Sequence, residues 1–281
     1  MKYDYIIVGA GSAGCVIANR LSEDPSTQVL LIEAGGSDRR FFIQMPIGYG
    51  VTYHQKAVNW MYMTEPSPDA DNKPSYWPRG KVMGGSSSIN AMVYVRGNSR
   101  DFDQWSEAGN PGWSYSDVLP YFKKMESWQN GPDDYRGGDG PLNVSEVSRQ
   151  LHPLCQNFLS AAQEIGIGLN KDMNGATQEG VGNYQITTHK GQRMSSSRAY
   201  LWPIKGRTNL TIIKNAQATK ILTQDKKAFG IEYKKSGKVH QAIAKCEVVL
   251  SAGSINSPHL LQLSGIGPKV ALRKASVPLV H

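Results

Sequence analysis

At 281 residues, 40% hydrophobic and 19% charged, the chain has a globular composition with room for one large or two ordinary domains, which excludes a disordered polypeptide. Its 31 basic residues outnumber 23 acidic ones, a formal net charge of +8, yet no nucleic-acid motif and no basic stripe interleaved with aromatics accompanies them, so nucleic acid is excluded as a partner. No apolar run approaches membrane-spanning length, and three cysteines far apart (Cys15, Cys155, Cys246) read as reduced, buried small hydrophobes rather than a disulfide framework.

The first predicted element is the apolar strand Tyr5–Val8, which runs into Gly9-Ala10-Gly11-Ser12-Ala13-Gly14. An apolar-periodic helix follows through Cys15, Val16, Ala18 and Leu21, then a second apolar strand, Gln28–Ile32, ending at Glu33. Strand, G-x-G-x-x-G, helix, strand and acid in this register predict a dinucleotide-binding unit. Gly9 permits the tight turn, Gly11 the approach of backbone to a pyrophosphate, and Gly14 the close packing of helix on strand. Glu33 lies where a carboxylate accepts hydrogen bonds from an adenosine ribose. This motif does not choose between NAD and FAD.

Residues 37–79 lack clean periodicity and read as a long functional loop. Gly80-Lys-Val-Met-Gly-Gly-Ser-Ser-Ser-Ile-Asn90 then merges into the apolar Ala91–Val95, which a solvated linker does not do. Its glycines and hydroxyls suit a second set of contacts to a long diphosphate-bearing ligand. Short helices are predicted over Asp101–Gly109 and Ser116–Glu126, and a surface loop over 129–141. Leu151–Ile165 reads as an amphipathic helix whose apolar face holds Leu154, Phe158, Ala161, Ala162 and Ile165. A strand is predicted at Asn183–His189. Four more, Asn209–Lys214, Ala218–Thr223, Phe229–Lys234 and Lys238–Ala244, form a three- or four-strand antiparallel excursion. Glu247–Gly253 reads as a buried parallel strand returning to the first sheet, and Pro258 with the Leu260, Leu261 and Leu263 face starts a last helix. His54, His152, His189, His240 and His259 show no metal-ligand spacing, and no G-x-S-x-G is present, so neither a metal site nor a hydrolase is read.

Three segments carry a resemblance to a known family: Gly9–Glu33, the run from Gly80 through Arg96-Gly97, and Gly253-Ser-Ile-Asn-Ser-Pro-His-Leu-Leu-Gln-Leu-Ser-Gly-Ile-Gly267. The chain resembles the glucose-methanol-choline oxidoreductases, FAD enzymes that oxidise alcohols. The run Trp77-Pro-Arg-Gly-Lys81 makes it most similar to bacterial choline-dehydrogenase-like and aliphatic-alcohol dehydrogenases. The resemblance implies an α/β fold: a Rossmann-like FAD domain with a parallel sheet and an antiparallel excursion, plus part of an α+β substrate domain. It places the FAD domain at 1–145 and 205–281 and the partial substrate domain at 146–204.

Carried over by position, Gly9, Gly11, Ser12, Ala13, Gly14, Glu33 and Ala34 match contacts to adenosine and pyrophosphate. Gly84, Gly85, Ser86, Ser87, Asn90 and Ala91 match the segment along pyrophosphate and flavin, and Ala218 a backbone position at the adenine. Some relatives attach FAD covalently through a histidine just before the asparagine; Ile89 stands there, so the FAD is expected to be non-covalent. The substrate implied is a small-molecule alcohol or a choline-like compound. The electron acceptor (oxygen, quinone or another) stays open.

Family members are roughly twice this length and carry their catalytic base, a histidine paired with a second histidine or an asparagine, late in the chain. The expectation is therefore an N-terminal portion without catalytic residues, the base lying beyond His281. The alternatives are a catalytically silent FAD-binding module that needs a partner chain and an NAD(P)-dependent dehydrogenase. The expected location is cytoplasmic, with peripheral contact at the inner membrane left open by the basic charge.

Overall fold

The structure, a computed structural model, describes residues 2–281. In chain order its main elements are β1 (Lys2–Val8), α1 (Ser12–Leu21), β2 (Val29–Ile32), β3 (Tyr62–Met63), β4 (Tyr76–Trp77), α2 (Ser99–Glu107) and α3 (Tyr115–Met125). They continue with β5 (Glu126–Trp128), β6 (Leu142–Val144), α4 (Leu154–Glu164), β7 (Leu210–Ile213), β8 (Ala216–Gln224), β9 (Lys227–Lys235), β10 (Lys238–Leu250) and α5 (Gly253–Leu263). Among the described residues no helix is long and apolar enough to cross a membrane.

The chain divides into two compact units, one of residues up to 90 together with 195–281, the other of residues 91–194. The resemblance placed functional boundaries at 145 and 205. The first unit is built on a six-stranded sheet in the order β7-β2-β1-β10-β9-β8. β1 pairs in parallel with β2 on one side and β10 on the other. Ile6, Ile7, Leu30 and Leu31 are fully buried, since strands covered on both faces need side chains apolar on both. The expected return of Val248–Leu250 to the first sheet is present, with Ile6 opposite Val248 and Val8 opposite Leu250.

Two expectations for this sheet are corrected. Residues 238–244 and 247–250 are one continuous strand of 13 residues. The first part of β10 pairs antiparallel with β9, and from Ile243 onward it pairs in parallel with β1. The antiparallel strands therefore extend the main sheet. β7 is no part of that antiparallel group: it pairs in parallel with β2 at the opposite edge. Local alternation marks a strand but carries no information about which neighbour it finds. The hairpin between β8 and β9 turns at Asp225 and Lys226, both at positive φ, as a two-residue turn between right-twisted strands requires. Pro258 lies inside α5, which begins five residues earlier than the position read for it.

In the second unit α3 opens with a capping box: Asp117 N–H donates to Ser114 Oγ and the Asp117 carboxylate accepts from Ser114 N–H. Residues 129–141 are not simply a surface loop, because Arg136 in their midst is completely buried. Its guanidinium binds the buried Glu126 carboxylate and, at 2.8 Å, Asp172, and stands 4.2 Å over the Trp128 ring. Arg96 adds a second cation to Glu126 at 2.6 Å. The face predicted for α4 is also corrected: Leu154, Phe158 and Ile165 are exposed, while Leu159 and Ala162 are buried. Cys15 is buried as expected, but Cys246 is exposed and Cys155 partly so.

Candidate cofactor site

β1 and β10 are parallel neighbours, so the loops that leave Val8 and Leu250 open at the same end of the sheet. Ligands of open α/β sheets gather there, at the carboxyl ends of the strands. Between these loops lies a cavity of about 610 Å³, a cofactor-sized space. Its lining comes from the first glycine turn (Gly9, Gly11, Ser12, Ala13), from Glu33, from Trp60, from Arg79-Gly80 and Gly85-Ser86, and from the stretch Leu250–Pro258.

The glycines act in three ways. Gly9 has φ +98°, the left-handed region that glycine enters without strain. A Cβ on Gly14 would sit 1.9 Å from Gly9 O, so this residue sets how closely helix and turn pack. A Cβ on Gly11 would meet nothing nearer than Ser251 O at 3.8 Å; its missing side chain leaves space in the cavity itself. The second loop meets the first backbone to backbone. Gly84 N–H donates to Ala10 O at 2.7 Å, and a Cβ on Gly85 would lie 2.7 Å from Gly11 Cα.

Glu33 is buried at the end of β2. One carboxylate oxygen accepts from Ala10 N–H and the other from Gly35 N–H, each at 2.8 Å. Burial pushes its pKa up to about 7, against the opposing pull of those two N–H groups and of Lys81. Two lone-pair positions remain for a ligand's hydroxyls, as a ribose offers. Arg79 is the guanidinium of the lining, and the amino ends of α1 and α5 both open into the cavity. Glycine-lined walls, two helix amino ends and one cation suit a diphosphate. These residues therefore fit the dinucleotide half of FAD.

The expected site residues divide as follows. Gly9, Gly11, Ser12, Ala13, Glu33, Gly85 and Ser86 line the cavity. Ala218 lines a smaller cavity of about 60 Å³, which shares Trp60, Ala252 and Asn256 with the first. Gly14, Ala34, Gly84 and Ser87 stand behind the lining; Ser87 Oγ donates to Gly84 O at 2.6 Å and accepts from Ser196 N–H at 2.9 Å. Asn90 is exposed at the close of the first unit and Ala91 exposed at the opening of the second. Trp60, Arg79, Gly80 and Leu250–Pro258 were not among the expected contacts. Arg79 and Gly80 fall in the Trp77–Lys81 run, and Gly253–Pro258 in the third signature, so a sequence signal existed without a register onto the site. For Trp60 there was none.

Residues 3–276 match the GMC oxidoreductase family. The chain is 50% identical to an oxygen-dependent choline dehydrogenase of Photobacterium profundum, over 99% of this chain and 49% of that protein. It is 47% identical to an alcohol dehydrogenase [acceptor] of Pseudomonas putida, over 99% of this chain and 51% of the other. A solved structure of an FAD-dependent oxidoreductase from Chaetomium thermophilum superposes with a TM-score of 0.91 at 33% identity, covering 99% of this chain and 50% of that one. The chain thus spans about half the length of the curated relatives it matches. The match over nearly the whole sequence and the glycine-lined cavity at the strand ends agree: the chain belongs to the FAD-dependent GMC oxidoreductase family.

Proposed function

We propose that this chain is the FAD-holding part of an oxidoreductase that converts an alcohol or choline-like CH–OH group to the aldehyde. The observation that carries the reading is the cavity between the two glycine loops and the amino end of α5, whose lining lies wholly in the unit of residues up to 90 and 195–281. That unit is assigned as the FAD-binding domain, and residues 91–194 as belonging with the substrate side. Bound FAD supplies a two-electron acceptor for hydride from the alcohol carbon. The chain's own residues bind and orient: Gly9, Gly11, Ser12 and Ala13 admit the diphosphate, Glu33 accepts the ribose hydroxyls, and Arg79 balances charge.

Attachment is non-covalent. Ile89 offers no nucleophile and is buried in an apolar cluster with Ile43, Val58 and Val82. The cavity lining contains no histidine, and its one acid, Glu33, is held by two backbone N–H groups. A base for the substrate hydroxyl has to come from outside this lining, and we place it outside these 281 residues. The electron acceptor is oxygen, a quinone or another small oxidant. The same absence of a base supports a second reading, a silent FAD module completed by a partner chain.

The test is to purify the chain with FAD and assay choline and primary alcohols with a dye acceptor. Flavin absorbance that acid precipitation releases entirely into the supernatant is the expected result, together with no turnover. Flavin left in the pellet overturns the non-covalent reading. Turnover at the rate of an intact relative overturns the placement of the base. Activity that appears only on adding a second polypeptide favours the partner-chain reading.

A further inference from the structure

The unit of residues 91–194 holds a cavity of about 730 Å³, a space large enough for a small organic ligand. Its wall is built by α2, α3 and residues 94–97. Phe102 of α2 and Phe122 of α3 both line it and meet edge to face, with ring centres 5.6 Å apart. A Cβ on Gly97 would lie 2.9 Å from Phe102 Cε2, so the glycine is what lets that ring lie against the chain. The series of rings continues from Phe102 through Trp105 to Trp113, with centres 5.2 and 6.0 Å apart. Trp113 and Tyr121 also line the cavity and are exposed, so its aromatic wall opens to solvent.

The polar side chains of the wall favour one partner. Arg96 and the Trp113 indole N–H can only donate. Tyr94 Oη accepts from Arg96 Nε at 3.4 Å, which leaves its own O–H to donate. Burial pushes the Tyr94 pKa up, so the phenol keeps that proton. Among the described residues no carboxylate or carboxamide side chain lines the cavity. The wall's charge is already balanced, because Arg96 donates to the buried Glu126 carboxylate at 2.6 Å while its guanidinium stands 5.2 Å from the centre of the Phe122 ring. A cationic ligand would meet that guanidinium with no acid beside it. An anionic one would have to compete with Glu126 for it. A neutral ligand that offers acceptors meets neither cost.

We propose that this cavity binds a neutral, flat ring compound bearing carbonyl oxygens, the chemistry of a quinone, with its ring against Trp113 and Tyr121 and a carbonyl oxygen accepting from Tyr94. The proposal does not rest on the FAD reading, because none of this lining belongs to the cofactor cavity.

The experiment is to titrate the FAD-free 281-residue chain with duroquinone, a fully substituted quinone that leaves no open ring position for thiols, and to measure binding by calorimetry. Durene (the same methylated ring without carbonyls), benzoate and benzyltrimethylammonium are the comparisons. Duroquinone should bind, and roughly threefold or more tightly than each of the others. Trp113→Leu and Tyr121→Ala should each weaken it roughly three- to tenfold, with the melting temperature unchanged. Tyr94→Phe should weaken duroquinone by a similar factor and leave durene where it was. No uptake of duroquinone by the wild-type chain would overturn the site. Durene bound as tightly would reduce it to an apolar hollow, and either ion bound as tightly would contradict the neutral ligand. Duroquinone affinity untouched by both Trp113→Leu and Tyr121→Ala would place the binding elsewhere on the chain.

Discussion

Gly11 and Gly14 belong to one motif yet are needed for different reasons. A methyl group on Gly14 would meet Gly9 O at 1.9 Å, whereas one on Gly11 would make only an ordinary contact, 3.8 Å from Ser251 O, on the cavity side. Gly14→Ala should therefore cost about 1–3 kcal/mol of stability in chemical denaturation, the usual penalty of overpacking. Gly11→Ala should leave the denaturation midpoint in place and weaken FAD binding roughly tenfold or more, since the same crowding falls on the ligand. Glu33 makes a separate prediction. Its folded-state pKa is raised from 4.5 to about 7, so the folded chain holds a proton that the unfolded chain has lost across that window. The stability associated with this group is fully present below pH 4.5 and is lost as pH rises towards 7, about 3 kcal/mol in all for FAD-free protein. Urea midpoints measured from pH 4.5 to 8 should show that fall, and Glu33→Gln should flatten it. A midpoint that climbs across the window in wild type would contradict the assignment.

Among elements, the second unit depends on charge where the first depends on apolar strands. Glu126 at the start of β5 accepts from Arg96 and Arg136, and Asp172 takes the far side of Arg136. Two cations and two anions balance, and each buried guanidinium is further engaged, Arg96 with Tyr135 O and Arg136 with Gln185. Removing one partner of such a set leaves a buried charge uncompensated. Glu126→Ala should cost roughly 3–5 kcal/mol in equilibrium unfolding. A loss below about 1 kcal/mol, the level of an exposed pair, would show that water reaches the site. In the first unit, β10 serves two neighbours in succession, antiparallel β9 and then parallel β1. That double pairing delivers Ser251–Pro258 to the glycine turn and so completes the cavity.

At the scale of the whole molecule the apolar side chains left outside become important. On α4, Leu154, Phe158 and Ile165 are 65%, 68% and 77% exposed, at spacings that place them along one side of the helix. A contiguous apolar stripe of this kind drives association. The chain should self-associate with rising concentration, and Phe158→Ser with Ile165→Ser should shift sedimentation towards the monomer while leaving the melting temperature unchanged. Equal sedimentation of the two proteins would remove the stripe as the cause.

The glycine turn, the helix behind it, the acid at the end of β2 and the parallel return of residues 248–250 were legible in the sequence. Each is written in consecutive residues whose local chemistry admits few conformations: glycine where φ is positive, unbroken apolar runs where both faces are covered. The direction in which β7 pairs, the continuity of β10 and the buried charge of Arg136 were decided by tertiary structure. So was the meeting of Trp60, Arg79 and Asn256 at one cavity. These depend on which distant segment each element meets, and a residue such as Trp60 carries no mark of the partner that gives it a role. The sequence by itself pointed to a dinucleotide-binding unit. Only the packing of distant segments around the open end of the sheet decided which side chains line the cavity there.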